Sequence, residues 1–339
     1  MPSSLNDTEK TARIREDAGH ASDELRRRHP WLEHQDAIGI GILASSLVAM
    51  SGCAWLYWQG AMPAWLCVPL VAICASLIHE LEHDLIHYMY FRDRPVVHNL
   101  MLAIGWLVRP STINPWIRRR IHLHHHKHSG TRTDVEERGI TNGEPWSARR
   151  LLMIGDGLLA ILLRAVAKKG LRPAGRTVFR GLAAYFPVGW IHFFVWYCFL
   201  GFHAVDGLGT VAGHPVAWSE TTLANMRVVD FLTVVLIGPN VLRSFCLHFV
   251  SSNMHYYGDV QDRNIMQQTQ VWNRRWLWPF HLFCFNFGST HAIHHFYVKD
   301  PFYIRQWTAR PVHVVMRDVG VRFNDFDTFR RANRFYRHA

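Results

Sequence analysis

Residues 37 to 79 read AIGIGILASSLVAMSGCAWLYWQGAMPAWLCVPLVAICASLIH, 43 positions between Asp36 and Glu80 without an Asp, Glu, Lys or Arg. That is too long for one buried helix of a soluble core. It is long enough for two membrane crossings, each of which takes about 20 apolar residues. The run divides at Trp58-Gln59-Gly60-Ala61-Met62-Pro63, where a glycine and a proline mark a tight turn, and the crossings fall at about Ala37 to Tyr57 and Ala64 to His83. Two further apolar runs, Gly181 to Val205 and Val228 to Val250 with Arg243 near its end, complete the set. The expectation is an all-α integral membrane protein with four transmembrane helices in two hairpins and a cytoplasmic helical cap.

Lys and Arg set the orientation. The turn at 58–63 holds none and Asp206 to Arg227 holds one, against six before the first crossing, seventeen in Arg92 to Arg180 and twelve after the fourth. Both ends and the large middle segment are therefore expected in the cytoplasm, most simply at a bacterial inner membrane. The net charge of +11 is accounted for in this way, without nucleic acid. The shorter runs Val96 to Val108 and Leu151 to Val166, the second carrying Asp156 and Arg164, fit interfacial helices, as does Trp276 to Ser289. With 14 Trp, 20 Phe and 10 Tyr the chain is not disordered. Cys53, Cys67, Cys74, Cys198, Cys246 and Cys284 all lie in apolar runs with no CxxC pair, and read as small buried residues. Residues 1–32 lack an apolar core with a cleavage site, so the spans are expected to direct insertion.

Twenty-three histidines are a large excess, and three clusters hold many of them. In His79-Glu80-Leu81-Glu82-His83-Asp84-Leu85-Ile86-His87 the i, i+4, i+8 spacing aligns three imidazoles on one helix face. Two imidazoles one turn apart can hold a metal ion, as in the helical HExxH arrangement. The second cluster, His122-Leu123-His124-His125-His126-Lys127-His128, and the third, His291-Ala292-Ile293-His294-His295, share the spacing HxxHH. A buried structural histidine or a solvated loop does not explain a spacing repeated about 170 residues apart. Eight imidazoles exceed the three or four protein ligands of one zinc, so two ions are the natural count. Imidazole alone does not choose among iron, copper, nickel and zinc.

These residues resemble the membrane fatty acid desaturase and hydroxylase superfamily, marked by the histidine boxes HxxxH, HxxHH and HxxHH around a non-haem di-iron centre. Here the boxes stand as His79-x3-His83, His122-x2-His125-His126 and His291-x2-His294-His295. Arg118 to Asp134 is similar to the bacterial form of box two, and Asn253-Met254-His255-Tyr256-Tyr257-Gly258 to an extra histidine motif that precedes box three. The resemblance covers roughly Asp36 to Tyr303 and implies His255 as a ninth ligand. It divides the chain into a cytoplasmic segment 1–36, a desaturase-like membrane domain 37–303 and a basic cytoplasmic tail 304–339. His87, Glu80, Asp84, Asp134, Asp259 and Asp262 are then the groups expected to support the ligands by hydrogen bonds, with His124 and His128 there or on the surface.

The implied chemistry is dioxygen-dependent attack on an unactivated C–H bond of a fatty acid or acyl lipid by a pair of irons, most simply desaturation. Hydroxylation, and oxidative decarboxylation of a free acid to a terminal alkene, share the boxes; Arg109 or Arg243 would suit the carboxylate in that last case. Without a GxGxxG or a cysteine cluster, electrons are expected from a separate ferredoxin, rubredoxin or cytochrome-type donor, steered by Arg118, Arg119, Arg120 and the tail from Arg305 to Arg337. Trp55, Trp58, Trp190 and Trp196 suit an interfacial belt better than a substrate channel. A histidine-rich metal transporter calls for ligands at mid-span, and a membrane zinc hydrolase leaves both HxxHH boxes without a role.

Overall fold

The computed structural model describes residues 5–140 and 143–336 and is all-α, with no strand among them. Helix α1 (Asp7–Arg28) opens on a reciprocal cap in which Asn6 Oδ1 accepts from Glu9 N and the Glu9 carboxylate accepts from Asn6 N. The long apolar helices α2 (Gln35–Trp58) and α3 (Ala64–Ile86) follow and pack along each other. The turn between them uses Gly60 at a φ of 71°, and Pro63 leads into α3. Helix α3 passes the expected boundary at His83, because Ile78–Ile86 are all buried by the elements around them. Next come α4 (Pro95–Leu107) and α5 (Pro115–His128), the second capped by Asn114 Oδ1, which accepts from Trp116 N and Ile117 N.

The apolar stretch 151–166 is two helices rather than one. After α6 (Val135–Ile140), α7 (Ala148–Gly155) ends at Asp156, whose carboxylate accepts from Leu159 N at 2.8 Å and so starts α8 (Gly157–Val166). Then α9 (Leu171–Tyr185) leads to the third long apolar helix, α10 (Val188–Val211). The fourth is longer than expected: α11 (Glu220–Leu232) and α12 (Gly238–Met254) form one 35-residue helix through a π turn at Thr233–Ile237. Pro239 lacks an N–H and its ring crowds the carbonyl four residues back, and the wider turn relieves both. Among the described residues, four helices are thus long and apolar enough to cross a membrane.

Residues 276–289, expected as one interfacial helix, are instead the short α13 (Trp278–Leu282) and the start of α14 (Phe287–Phe296). Phe285 and Asn286 between them take φ of 46° and 57°, which a right-handed helix does not pass through. Helix α15 (Phe302–Asp318) lies along α1. Two apolar cores result. One joins α2, α3 and α4 through Leu43, Val71, Ile78, Leu85 and Leu102; the other joins α1, α12, α14 and α15 through Ile14, Val250, Trp272, Ile293 and Met316. Trp55, Trp58 and Trp190 are exposed, as an interfacial belt requires, and all six cysteines are free.

Candidate metal centre

Four elements deliver histidines to one place: the end of α3, the last turns of α5, the residue closing α12, and α14. They form two groups. In the first, ring nitrogens of His83, His87, His122, His126 and His294 all lie within 4.8 Å of one another; in the second, those of His125, His255 and His295 do. The second group also takes in His291, whose Nε2 is 3.3 Å from His295 Nε2.

Helical geometry explains the HxxHH spacing. Residues i and i+4 share a face, while i+3 points about 100° away from i+4. His122 and His126 therefore serve the first group and His125 the second; His291 and His295 serve the second and His294 the first. Each box is a pair for one centre and a single donor for the other. That arrangement requires the two centres to be neighbours.

The nitrogens fit cations. In the first group Nε2 of His87 is 3.1 Å from that of His122 and 3.0 Å from that of His294, and Nε2 of His126 is 3.1 Å from both. In the second, His255 Nε2 is 3.3 Å from His295 Nε2. The outer nitrogens are engaged: His122 Nδ1 donates to Glu136 at 2.9 Å, His125 Nδ1 to Asp134 at 2.8 Å, His295 Nδ1 to Gln268 Oε1 at 3.0 Å and His255 Nδ1 to Ser251 O at 2.9 Å. The inward nitrogens are then lone pairs, which repel at these distances unless a positive charge sits among them. Neither ring nitrogen of the buried His83 has a hydrogen-bond partner. Nine imidazoles without a thiolate suit iron, copper, nickel or zinc.

Burial also sets the protonation state. It holds His126, His291, His294 and His295 well below their ordinary pKa, His255 at about 3 and His87 at about 2, which is the unprotonated form that metal ligation needs. For His125 burial acts downward too, but Asp134, Glu136 and Glu137 outweigh it and bring the group to about 9. Asp134 is itself fixed by Gly130 N and by the first amides of α6.

The remaining residues singled out in the sequence lie as follows. His79 is outside both groups, its Nδ1 3.2 Å from Arg109 Nη1, with Phe287 between its ring and His291. Asp84 accepts from Phe302 N and from Arg305 at 3.0 Å and so ties α3 to α15, 3.6 Å from His83 Nδ1; Glu80 is 3.7 Å from Arg305. Asp259 accepts from Phe335 N and Tyr336 N and touches no imidazole. His128 pairs with Asp262 on the surface, and His124 Nε2 meets Thr133 O. The basic patch expected to steer a redox donor is smaller than the sequence suggested: Arg305 is buried on Asp84, Arg118 is paired with Glu82, and Arg331 with Asp325. Glu136, Glu137 and Gln268 were missed; the run Asp134-Val135-Glu136-Glu137 directly after box two was the available signal for the first two.

The family model for fatty acid desaturases matches residues 59–327, a span that includes all three boxes and His255. No match is found among curated proteins. With most of the chain matched and its histidines gathered into two groups, buried except for the half-buried His87 and His126, the chain belongs to the fatty acid desaturase family.

Proposed function

We propose that the protein is a membrane-bound, dioxygen-dependent desaturase of fatty acyl chains, with one iron held by His83, His87, His122, His126 and His294 and a second by His125, His255, His291 and His295. The observation that carries this reading is the convergence of the inward Nε2 atoms on two adjacent points. The irons supply, when bound, the means to activate dioxygen for attack on an unactivated C–H bond. In balance, one –CH2–CH2– unit, one O2, two electrons and two protons give one –CH=CH– and two waters. The electrons come from a separate donor of ferredoxin, rubredoxin or cytochrome type.

The chain's own residues do the rest. Asp134, Glu136 and Gln268 fix the ring tautomers through the Nδ1 protons. Arg305 on Asp84 clamps α15 over the end of α3, and burial of His125, His255, His291 and His295 keeps water from the second group. The fold places the histidines at helix ends rather than at mid-span, which supports an enzyme over a metal transporter. The excess of Lys and Arg in the segments flanking the histidines supports a cytoplasmic position for this cap and both termini.

The test is gas chromatography of lipids and headspace from cells expressing the wild type or His294→Ala. The expected result is a new mono-unsaturated chain that the substitution abolishes. A mutation-sensitive alcohol or terminal alkene moves the reaction to hydroxylation or oxidative decarboxylation on the same centre. An unchanged profile refutes the oxidase reading.

A further inference from the structure

Among the described residues, Arg109, Arg150, Arg243 and Arg305 are the fully buried arginines. Arg109 is held by Glu82 and Arg305 by Asp84, while Arg150, whose contacts are the oxygens of Glu144, Ser252 and Asn333, lies in the field of the Glu137 and Glu144 carboxylates. Arg243, within the fourth long helix and 1% exposed, has no such answer. Its Nη2 donates to Ser244 Oγ at 2.8 Å and Ser111 Oγ at 3.1 Å, its Nε reaches Asn240 Oδ1 at 3.5 Å, and its Nη1 has no acceptor. All three partners are neutral.

The surroundings sharpen the imbalance. The field of Arg118 falls on Arg243 and that of Arg243 on Arg109; Glu82 touches both Arg109 and Arg118, Glu80 acts on both and Glu136 on Arg118, whereas among the described residues no carboxylate acts on Arg243. Two further buried atoms within reach of Arg243's charge, His79 Nε2 and His192 Nδ1, also lack partners. A cation enclosed in a membrane segment with only hydroxyl and amide contacts carries a large desolvation cost that an anion offsets.

We infer that Arg243 binds the carboxylate of an unesterified fatty acid, so that the substrate is the free acid rather than a thioester or an ester. A guanidinium presents a planar fork that matches a carboxylate, and one negative charge balances it. An acyl thioester or ester offers only a neutral carbonyl, which leaves the charge of Arg243 without a counter-charge. Of the two arginines that suit a carboxylate by sequence, Arg109 is already occupied by Glu82. The inference rests on the reading of the centre as one that oxidises acyl chains, and it names the form in which the chain arrives.

The test measures binding without turnover. Full-length, iron-loaded protein in detergent, with no electron donor, is titrated with palmitate, methyl palmitate and palmitoyl-CoA against a bound fluorescent fatty acid. The wild type is expected to favour palmitate over its methyl ester by about tenfold or more, as a charge-assisted buried contact implies. Arg243→Gln is expected to lose that preference and Arg243→Lys to keep part of it. Equal binding of acid and ester by the wild type overturns the inference without needing any variant to fold. An undiminished preference in Arg243→Gln overturns it as well, and so does displacement by palmitoyl-CoA but not by palmitate. Iron content of the same samples separates the two claims: iron without acid preference removes the role of Arg243 and leaves the metal reading standing, while acid preference without iron does the reverse.

Discussion

Asp134 accepts from His125 Nδ1, Gly130 N and two amides of α6, so it fixes both a ring tautomer and the turn that carries it. Asp134→Asn keeps the shape and removes the charge; metal affinity of the group with His125 is expected to fall about 10- to 100-fold while the first group keeps its ion. Elemental analysis against the wild type checks this, and an unchanged content contradicts it. A pH dependence belongs to the same scale. Burial holds His255 at about 3 and His87 at about 2 in the folded chain, against 6.5 ordinarily, so as pH falls below about 6.5 the unfolded chain takes up protons that the folded chain refuses. The metal-free protein is therefore expected to lose thermal stability steadily from neutral pH to about pH 5 through these two groups, while the contribution of His125, raised to about 9 by its carboxylates, is lost only as pH climbs from 6.5 through 9. What the sequence could show here has a clear limit. His79, His83 and His87 offer two overlapping HxxxH pairs, and local spacing is equally satisfied by either. Only the position of α3 against α5 and α14 brings His87 in beside His83 and leaves His79 with Arg109.

At the scale of elements, α5 is the support of box two, and its start depends on Asn114. Asn114→Ala removes the acceptor for Trp116 N and Ile117 N and is expected to cost about 1 kcal/mol, seen as a small drop in thermal midpoint with metal content retained. The turn after α5 is less forgiving. Gly130 has a φ of 78°, and a Cβ there would stand 2.5 Å from Tyr256 O. Gly130→Ala should displace Asp134 and lower metal content together with stability; retention of both would show that the turn does not position the ligand. The long helices were legible because apolar length suffices to identify them. Helix ends were not: α3 runs on past His83 because the cap buries it, and α11–α12 continues through Pro239 because a π turn absorbs the proline.

For the whole molecule, the distribution of Lys and Arg implies one orientation. A cysteine introduced at Gly60 or Gly213 in a cysteine-free background is expected to react with an impermeant maleimide from outside intact cells, and one at Asp7 or Asp318 only after permeabilisation. The reverse pattern would place the histidines on the other face. The most direct measurement of the central claim is the metal content of the purified wild-type protein. Two histidine groups, read as the centre of a desaturase, predict about two irons per chain, falling on substitution of His126 or His295. Zinc in their place, or a chain that purifies without metal and gains none on loading with ferrous iron, would contradict it.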